Sequence, residues 1–76
     1  MATKAFVLIE TFAGKNKEVT VELRQLKGMK SVDIVTGPYD IIVILEADSL
    51  SEIGGIVTGK IHRITGISRT VTCLSV

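Results

Sequence analysis

The chain is expected to fold as an α+β domain of the split βαβ, ferredoxin-like kind, a four-stranded antiparallel sheet carrying two helices on one face. Three features lead there. Apolar segments succeed one another as β-α-β, a turn, and β-α-β; a glycine stands where each helix should end; and LKGMKSV at 26–32 is echoed by ITGISRT at 64–70. Each echo carries an aliphatic, a glycine, another aliphatic and the start of a strand. Right-handed crossovers then place both helices on the same side of the sheet.

Residues 5–9, AFVLI, form a continuous apolar run of strand length, and AGKNK after them has the composition of a connection. From Lys15 to Lys27, Val19, Leu23 and Leu26 fall at i, i+4 and i+7 among Lys17, Glu18, Glu22, Arg24 and Gln25, the pattern of an amphipathic helix. Gly28 suits the left-handed backbone just past its end. In 31–36, SVDIVT, Val32 and Ile34 share one strand face, and 41–47, IIVILEA, is the strongest strand signal in the chain. Asp48, Ser49 and Glu52 open a second helix, Ser49 and Glu52 being spaced as a capping box. Leu50, Ile53, Val57, Ile61 and Ile64 form its buried stripe. Gly54, Gly55 and Gly59 each weaken that helix by up to about 1 kcal/mol, which is best explained by close packing against a neighbour. Gly66 ends it, and 67–76, ISRTVTCLSV, supplies the last strand.

The 76 residues, 46% hydrophobic and 22% charged, make one domain spanning 1–76. A chain this short buries only about 60% of the surface its unfolded form exposes, so self-association would strengthen it. The net charge of +1 comes from nine basic and eight acidic residues scattered along the chain. No Lys/Arg stripe forms the footprint that phosphate binding requires, which argues against direct nucleic-acid contact. A lone cysteine, Cys73, and an N-terminus without signal-peptide character fit a reduced, cytoplasmic setting. No apolar run approaches the roughly 20 residues of a membrane span.

Little here suggests catalysis. His62 is the one histidine, lies off the apolar stripe and reads as a solvated surface residue; Cys73 within a strand reads as a small packed hydrophobe. No metal-ligand spacing, acid–base pair or phosphate loop is present, so no metal and no cofactor is expected.

Alternation puts Ile42 and Ile44 opposite Ile41, Val43 and Leu45, and the helices can cover only one of those sets. The other requires a second subunit, giving a homodimer with its sheets face to face. Between the second and third strands, VTGPYD combines Gly37, which allows close backbone approach, with Tyr39 and Asp40. Free N–H groups in such a turn can hold a carboxylate and Asp40 an ammonium group, both of which a free amino acid carries. Against this stands the ordinary role of an aspartate that caps its own turn, the stronger reading on residue mechanics alone.

The run VDIVTGPYDIIVILEA, with AFVLIET, LKGMKSV and GISRTVT, resembles the effector-binding domain of the Lrp/AsnC (feast/famine) transcription regulators, called RAM for regulation of amino-acid metabolism. The resemblance covers residues 4–76. It implies the ferredoxin-like fold, a free amino acid as effector, and dimers that assemble into octamers or similar rings. Effectors in that family bind between dimers, at the turn joining the second and third strands, with help from a neighbouring subunit's last strand. On this chain the resemblance implicates Gly37, Tyr39 and Asp40, and, where GISRTVT matches, Thr70 and Thr72. Pro38 departs from the family's usual polar residue, removing a backbone donor and stiffening the turn. Family members usually carry a DNA-binding domain ahead of this module. Only four residues precede the first strand here, so the chain resembles a stand-alone RAM protein acting through partners such as full-length regulators. The competing readings are an ACT-like amino-acid-binding module, with Gly14 in the loop after the first strand, a purely structural subunit, and a small dimeric α/β-barrel enzyme.

Overall fold

The computed structural model describes residues 2–76. Strand β1 (Thr3–Thr11) is followed by helix α1 (Asn16–Arg24), strands β2 (Met29–Ile34) and β3 (Ile41–Ala47), helix α2 (Leu50–Ile56) with a π-helical continuation (Val57–Ile61), and strand β4 (Ile67–Leu74). All strand pairs are antiparallel, in the order β2-β3-β1-β4. This is the expected ferredoxin-like arrangement.

Pairing of β1 with β3 aligns Ala5 with Leu45, Val7 with Val43 and Ile9 with Ile41. All six side chains are shielded from solvent. They meet Val19 and Leu23 of α1, and Ile53, Val57 and Ile61 from α2 and its continuation, in one contiguous core. Each fully buried aliphatic of this kind contributes about 1.5–3 kcal/mol by leaving water. Thr20 is buried with them, and its hydroxyl is satisfied by donating to Asn16 O at 2.7 Å.

The helices depart from expectation at their ends. Helix α1 stops at Arg24, and Gln25 to Lys27 close in a turn before Gly28, at φ +89°. Arg24 Nη2 donates to Val32 O at 3.0 Å, tying this end to β2. At α2 the capping box forms with one change. Ser49 Oγ accepts from Glu52 N at 3.2 Å, but Glu52 Oε2 accepts from Asp48 N rather than from Ser49 N. Leu50 is not in the buried stripe; it is 58% exposed. The helix widens at Val57, where His62 N donates to Val57 O at 2.9 Å. The cause is legible in the spacing. Residues 53, 57 and 61 recur every four positions, and in a 3.6-residue helix each such step drifts by about 40°. A wider turn holds Val57 and Ile61 on the core face.

Nor do the helix glycines pack closely within the chain: nothing lies within 4 Å of where a Cβ on Gly54, Gly55 or Gly59 would stand. Among the strands, β2 begins and ends earlier than expected. Ile34 shares the face of Val32 but is 45% exposed, because it lies at the sheet's edge near the turn.

The opposite face of the sheet is uncovered. Phe6, Leu8, Ile42, Ile44 and Val71 occupy its centre, each half-buried, and Lys4 Nζ lies 5.4 Å from the Phe6 ring centroid. Charged pairs rim it, Lys30–Glu46 at 3.7 Å and Arg69–Glu10 at 3.6 Å. Cys73 pairs with Phe6 on this same face and is exposed, not packed as a small core residue. No helix among the described residues is long and apolar enough to cross a membrane.

If Gly55 faces open space, Gly55→Ala should raise unfolding stability by about 0.5–1 kcal/mol in urea titration. A loss would show that another molecule packs there. Gly66 (φ +107°) is the contrasting case, since a Cβ there would meet Val19 Cγ2 at 3.0 Å and Lys15 Cβ at 3.1 Å. Gly66→Ala should destabilise by about 1 kcal/mol or more.

Candidate functional site

The chain leaves β2 at Ile34 and turns through 35–40 before β3. Val35 N donates to Asp40 O at 2.9 Å, closing the turn, and Asp40 N donates to Ile9 O at 2.9 Å. Gly37, at φ +141°, takes the backbone through a region that side chains disfavour. The Asp40 carboxylate then reaches across to the end of β1. Its Oδ2 accepts from Thr11 N at 2.8 Å and from Thr11 Oγ1 at 3.2 Å. The expected structural role is therefore corrected in kind: Asp40 does not cap its own turn but clamps it to a strand 29 residues away. A charge-assisted bond of this sort is worth more than a neutral one.

Both of these bonds fall on Oδ2. Among the described residues Oδ1 has no hydrogen-bond partner, and it is not among the buried side-chain atoms left unpaired. No backbone hydrogen bond engages the N–H of Gly37 or Tyr39 among the described residues. The turn thus offers two donors and one acceptor atom over four residues.

Tyr39 is held from the side by β4. The Arg69 guanidinium carbon lies 5.6 Å from the Tyr39 ring centroid, and Arg69 Nη2 lies 3.6 Å from Glu10 Oε2. Both Arg69 and Glu10 are substantially exposed, so their pair adds little to stability. Ser68 Oγ lies within hydrogen-bond reach of Glu10 O at 3.0 Å and of Glu10 Oε1 at 3.2 Å. Arg69, Glu10, Ser68 and Thr11 are the site's unforeseen members. The β1–β4 pairing sets Glu10 opposite Arg69, and the β1–β3 pairing brings Thr11 to Asp40.

Thr70 and Thr72 do share one face of β4, as expected, but it is not the face of Arg69. They pair with Ile9 and Val7 and so point to the helix side. His62 is exposed, as its sequence position predicts, and its Nε2 lies 2.7 Å from Thr70 Oγ1. Thr72 lines a shallow depression with Leu50, Ile53, Val57 and Leu74. Within one chain, the turn residues and the two threonines therefore do not converge. No group of three or more His, Cys, Asp or Glu able to hold a metal occurs among the described residues.

A four-stranded antiparallel sheet with both helices on one face, and a polar turn clamped at its end, defines a small ferredoxin-like binding module. The chain belongs to the Lrp/AsnC ligand-binding domain family, whose model matches residues 4–76. A helix-turn-helix-type transcriptional regulator of Pyrococcus furiosus, itself uncharacterised, is 36% identical over 78 residues, covering 99% of this chain and 52% of that protein. Among solved structures, FFRP-DM1 is 35% identical with a TM-score of 0.93, covering 97% of this chain and 99% of that one. The hypothetical protein PHS023 of Pyrococcus horikoshii is 36% identical with a TM-score of 0.91, covering 100% and 90%. The chain spans about half the length of the curated relatives it matches. It is a regulatory module of a family of transcription regulators.

Asp40→Ala should leave the Thr11 N–H without its acceptor and cost about 1–3 kcal/mol in chemical denaturation. Asp40→Asn keeps an oxygen in place and should cost less than half as much. Equal losses for the two variants would mean that the clamp depends on the carboxylate charge and not on an oxygen acceptor alone.

Proposed function

We propose that the chain is an amino-acid-responsive assembly module: a free amino acid binds at the β2–β3 turn and alters how subunits associate. One observation carries this reading. The one turn holds the N–H groups of Gly37 and Tyr39 and the Oδ1 of Asp40, none of them hydrogen-bonded among the described residues, donors for a carboxylate and an acceptor for an ammonium group. Thr70 and Thr72, turned away from this site in their own chain, complete it from a neighbouring subunit. Family membership favours this reading over an ACT-like one.

The uncovered sheet face supports a homodimer. Its apolar centre and charged rim have the anatomy of a protein interface, and a second copy offers an identical face. The dimers associate further into an octamer or similar ring. The module has no catalytic activity and makes no DNA contact of its own; its scattered charges offer no phosphate-binding stripe. It acts in the cytoplasm, where any effect on transcription passes through a partner such as a full-length relative.

Isothermal titration with each standard amino acid, paired with light scattering, tests the effector. Saturable binding by at least one is expected, and Asp40→Asn should weaken it by about tenfold, or about 1.4 kcal/mol. Unchanged affinity in that variant would remove the ammonium contact, and binding by none would end the effector reading. The dimer has its own test. Ile44→Glu should reduce the mass of the unliganded protein at least twofold, and an unchanged mass would show that the sheet face is not the interface.

A further inference from the structure

Within this chain β4 is an edge strand, paired only with β1, so its residues can be reached from the flank of the sheet. Of its two helix-side threonines, only Thr70 has a side-chain hydrogen-bond partner among the described residues. That partner is His62, whose Nε2 lies 2.7 Å from Thr70 Oγ1. The two side chains line a polar hollow of about 320 Å³ together with Ser68 and Arg69.

His62 owes its place to the widened turn. Its N–H donates to Val57 O at 2.9 Å, and Ile61 beside it is fully buried, so the exposed ring is carried on a segment anchored in the core. Single widened turns of this kind are frequent at functional sites. Burial does not force the contact either. Thr70 is only half-buried, and water can satisfy a hydroxyl with that much access.

The effector site at the β2–β3 turn is short of acceptors. A free amino acid brings a carboxylate and an ammonium group with three N–H donors. The turn has two N–H groups for the carboxylate but only Asp40 Oδ1 for the ammonium. A threonine arriving from a neighbouring subunit is therefore needed as an acceptor. A hydroxyl has one O–H and two lone pairs, and the direction of its proton decides which of them it presents. When Thr70 donates to His62 Nε2, its lone pairs are left for the ligand. That requires a neutral imidazole with its own proton on Nδ1. An imidazolium donates from both nitrogens, so it turns the Thr70 proton outward and adds a positive charge beside the ammonium.

We propose that His62 is a positioning residue for the effector: neutral, it takes the Thr70 hydroxyl proton and makes Thr70 an acceptor for the ammonium group; protonated, it weakens binding. The proposal rests on the effector reading of the turn and adds to it a loss of affinity as pH falls. The other charged groups around His62 do not offset the charge it gains. Lys60 and Arg63 on its own segment and Arg69 on β4 are cations, and Arg69 is turned to Glu10 of β1 at 3.6 Å. Glu18 and Glu22 of α1 border a different hollow with Lys60 and Arg63. No carboxylate forms an ion pair with His62 among the described residues.

Two measurements on the full chain test this. Nitrogen chemical shifts of His62 in the unliganded protein at about pH 8 should place the ring proton on Nδ1, the tautomer that the Thr70 bond selects. A proton on Nε2 would overturn the proposal without any effector present. Isothermal titration with each standard amino acid is then run at about pH 8 and about pH 5.5, since histidine changes charge across that range. Affinity should fall at the lower pH by about tenfold, the effect of losing one charge-assisted hydrogen bond. His62 is exposed, so its variants should fold. His62→Gln keeps an acceptor without the charge and should bind within about twofold of the same affinity at both pH values. His62→Ala and Thr70→Val should each bind about tenfold more weakly at the higher pH. A pH-dependent fall that persists in His62→Gln, or full affinity in His62→Ala, would overturn this proposal and leave the effector reading standing. Binding of no amino acid at either pH would end both.

Discussion

The pairing of β1 with β3 sets Ala5, Val7 and Ile9 against Leu45, Val43 and Ile41, and the position of nearly every other group depends on that register. Side chains alternate along a strand, so a slip of one residue would move the entire buried set to the uncovered face. The helices add weight to the choice: Val19, Leu23, Ile53 and Ile61 bury their side chains against the same six residues. The same register turns Phe6, Leu8, Ile42 and Ile44 outward and forms the apolar face that dimerisation would cover. Core and uncovered face are two sides of one decision.

That register also places the β2–β3 turn. Because Ile9 faces Ile41, the residues just beyond each, Thr11 and Asp40, are brought within hydrogen-bond distance at the end of the sheet. Asp40 then has two capacities. Oδ2 anchors the turn to β1, and Oδ1 stays available. An aspartate that was wholly engaged could offer nothing to a ligand, and one wholly free would be poorly positioned. Preorganisation of this kind lowers the entropy lost when a polar ligand binds.

The two helices contribute unequally. Helix α1 is short and regular, with its apolar stripe at ordinary helical spacing. The second helix has to satisfy a four-residue repeat and does so by widening at Val57, while Gly54, Gly55 and Gly59 are exposed and have open space where a Cβ would stand. Its stability therefore comes chiefly from Ile53, Val57 and Ile61 in the core.

Element order, the two-sided alternation of β3, the capping serine and the sheet face left bare by the helices were all legible in local patterns, because strand alternation and capping are governed by residues within a few positions of each other. The VTG-x-YD turn, too, was visible as a short string, and with it the family. What local pattern could not supply was anything set by long-range pairing. The Asp40–Thr11 clamp spans 29 residues, and the Arg69–Glu10 and His62–Thr70 contacts exist only because β4 lies beside β1 and under the second helix. Periodicity placed Thr70 and Thr72 on one face of a strand, but only the β1–β4 register decided which face that was. By itself the sequence determined which residues must leave water; the tertiary structure decided which polar groups meet once they have done so, since that depends on the register between segments distant in the chain.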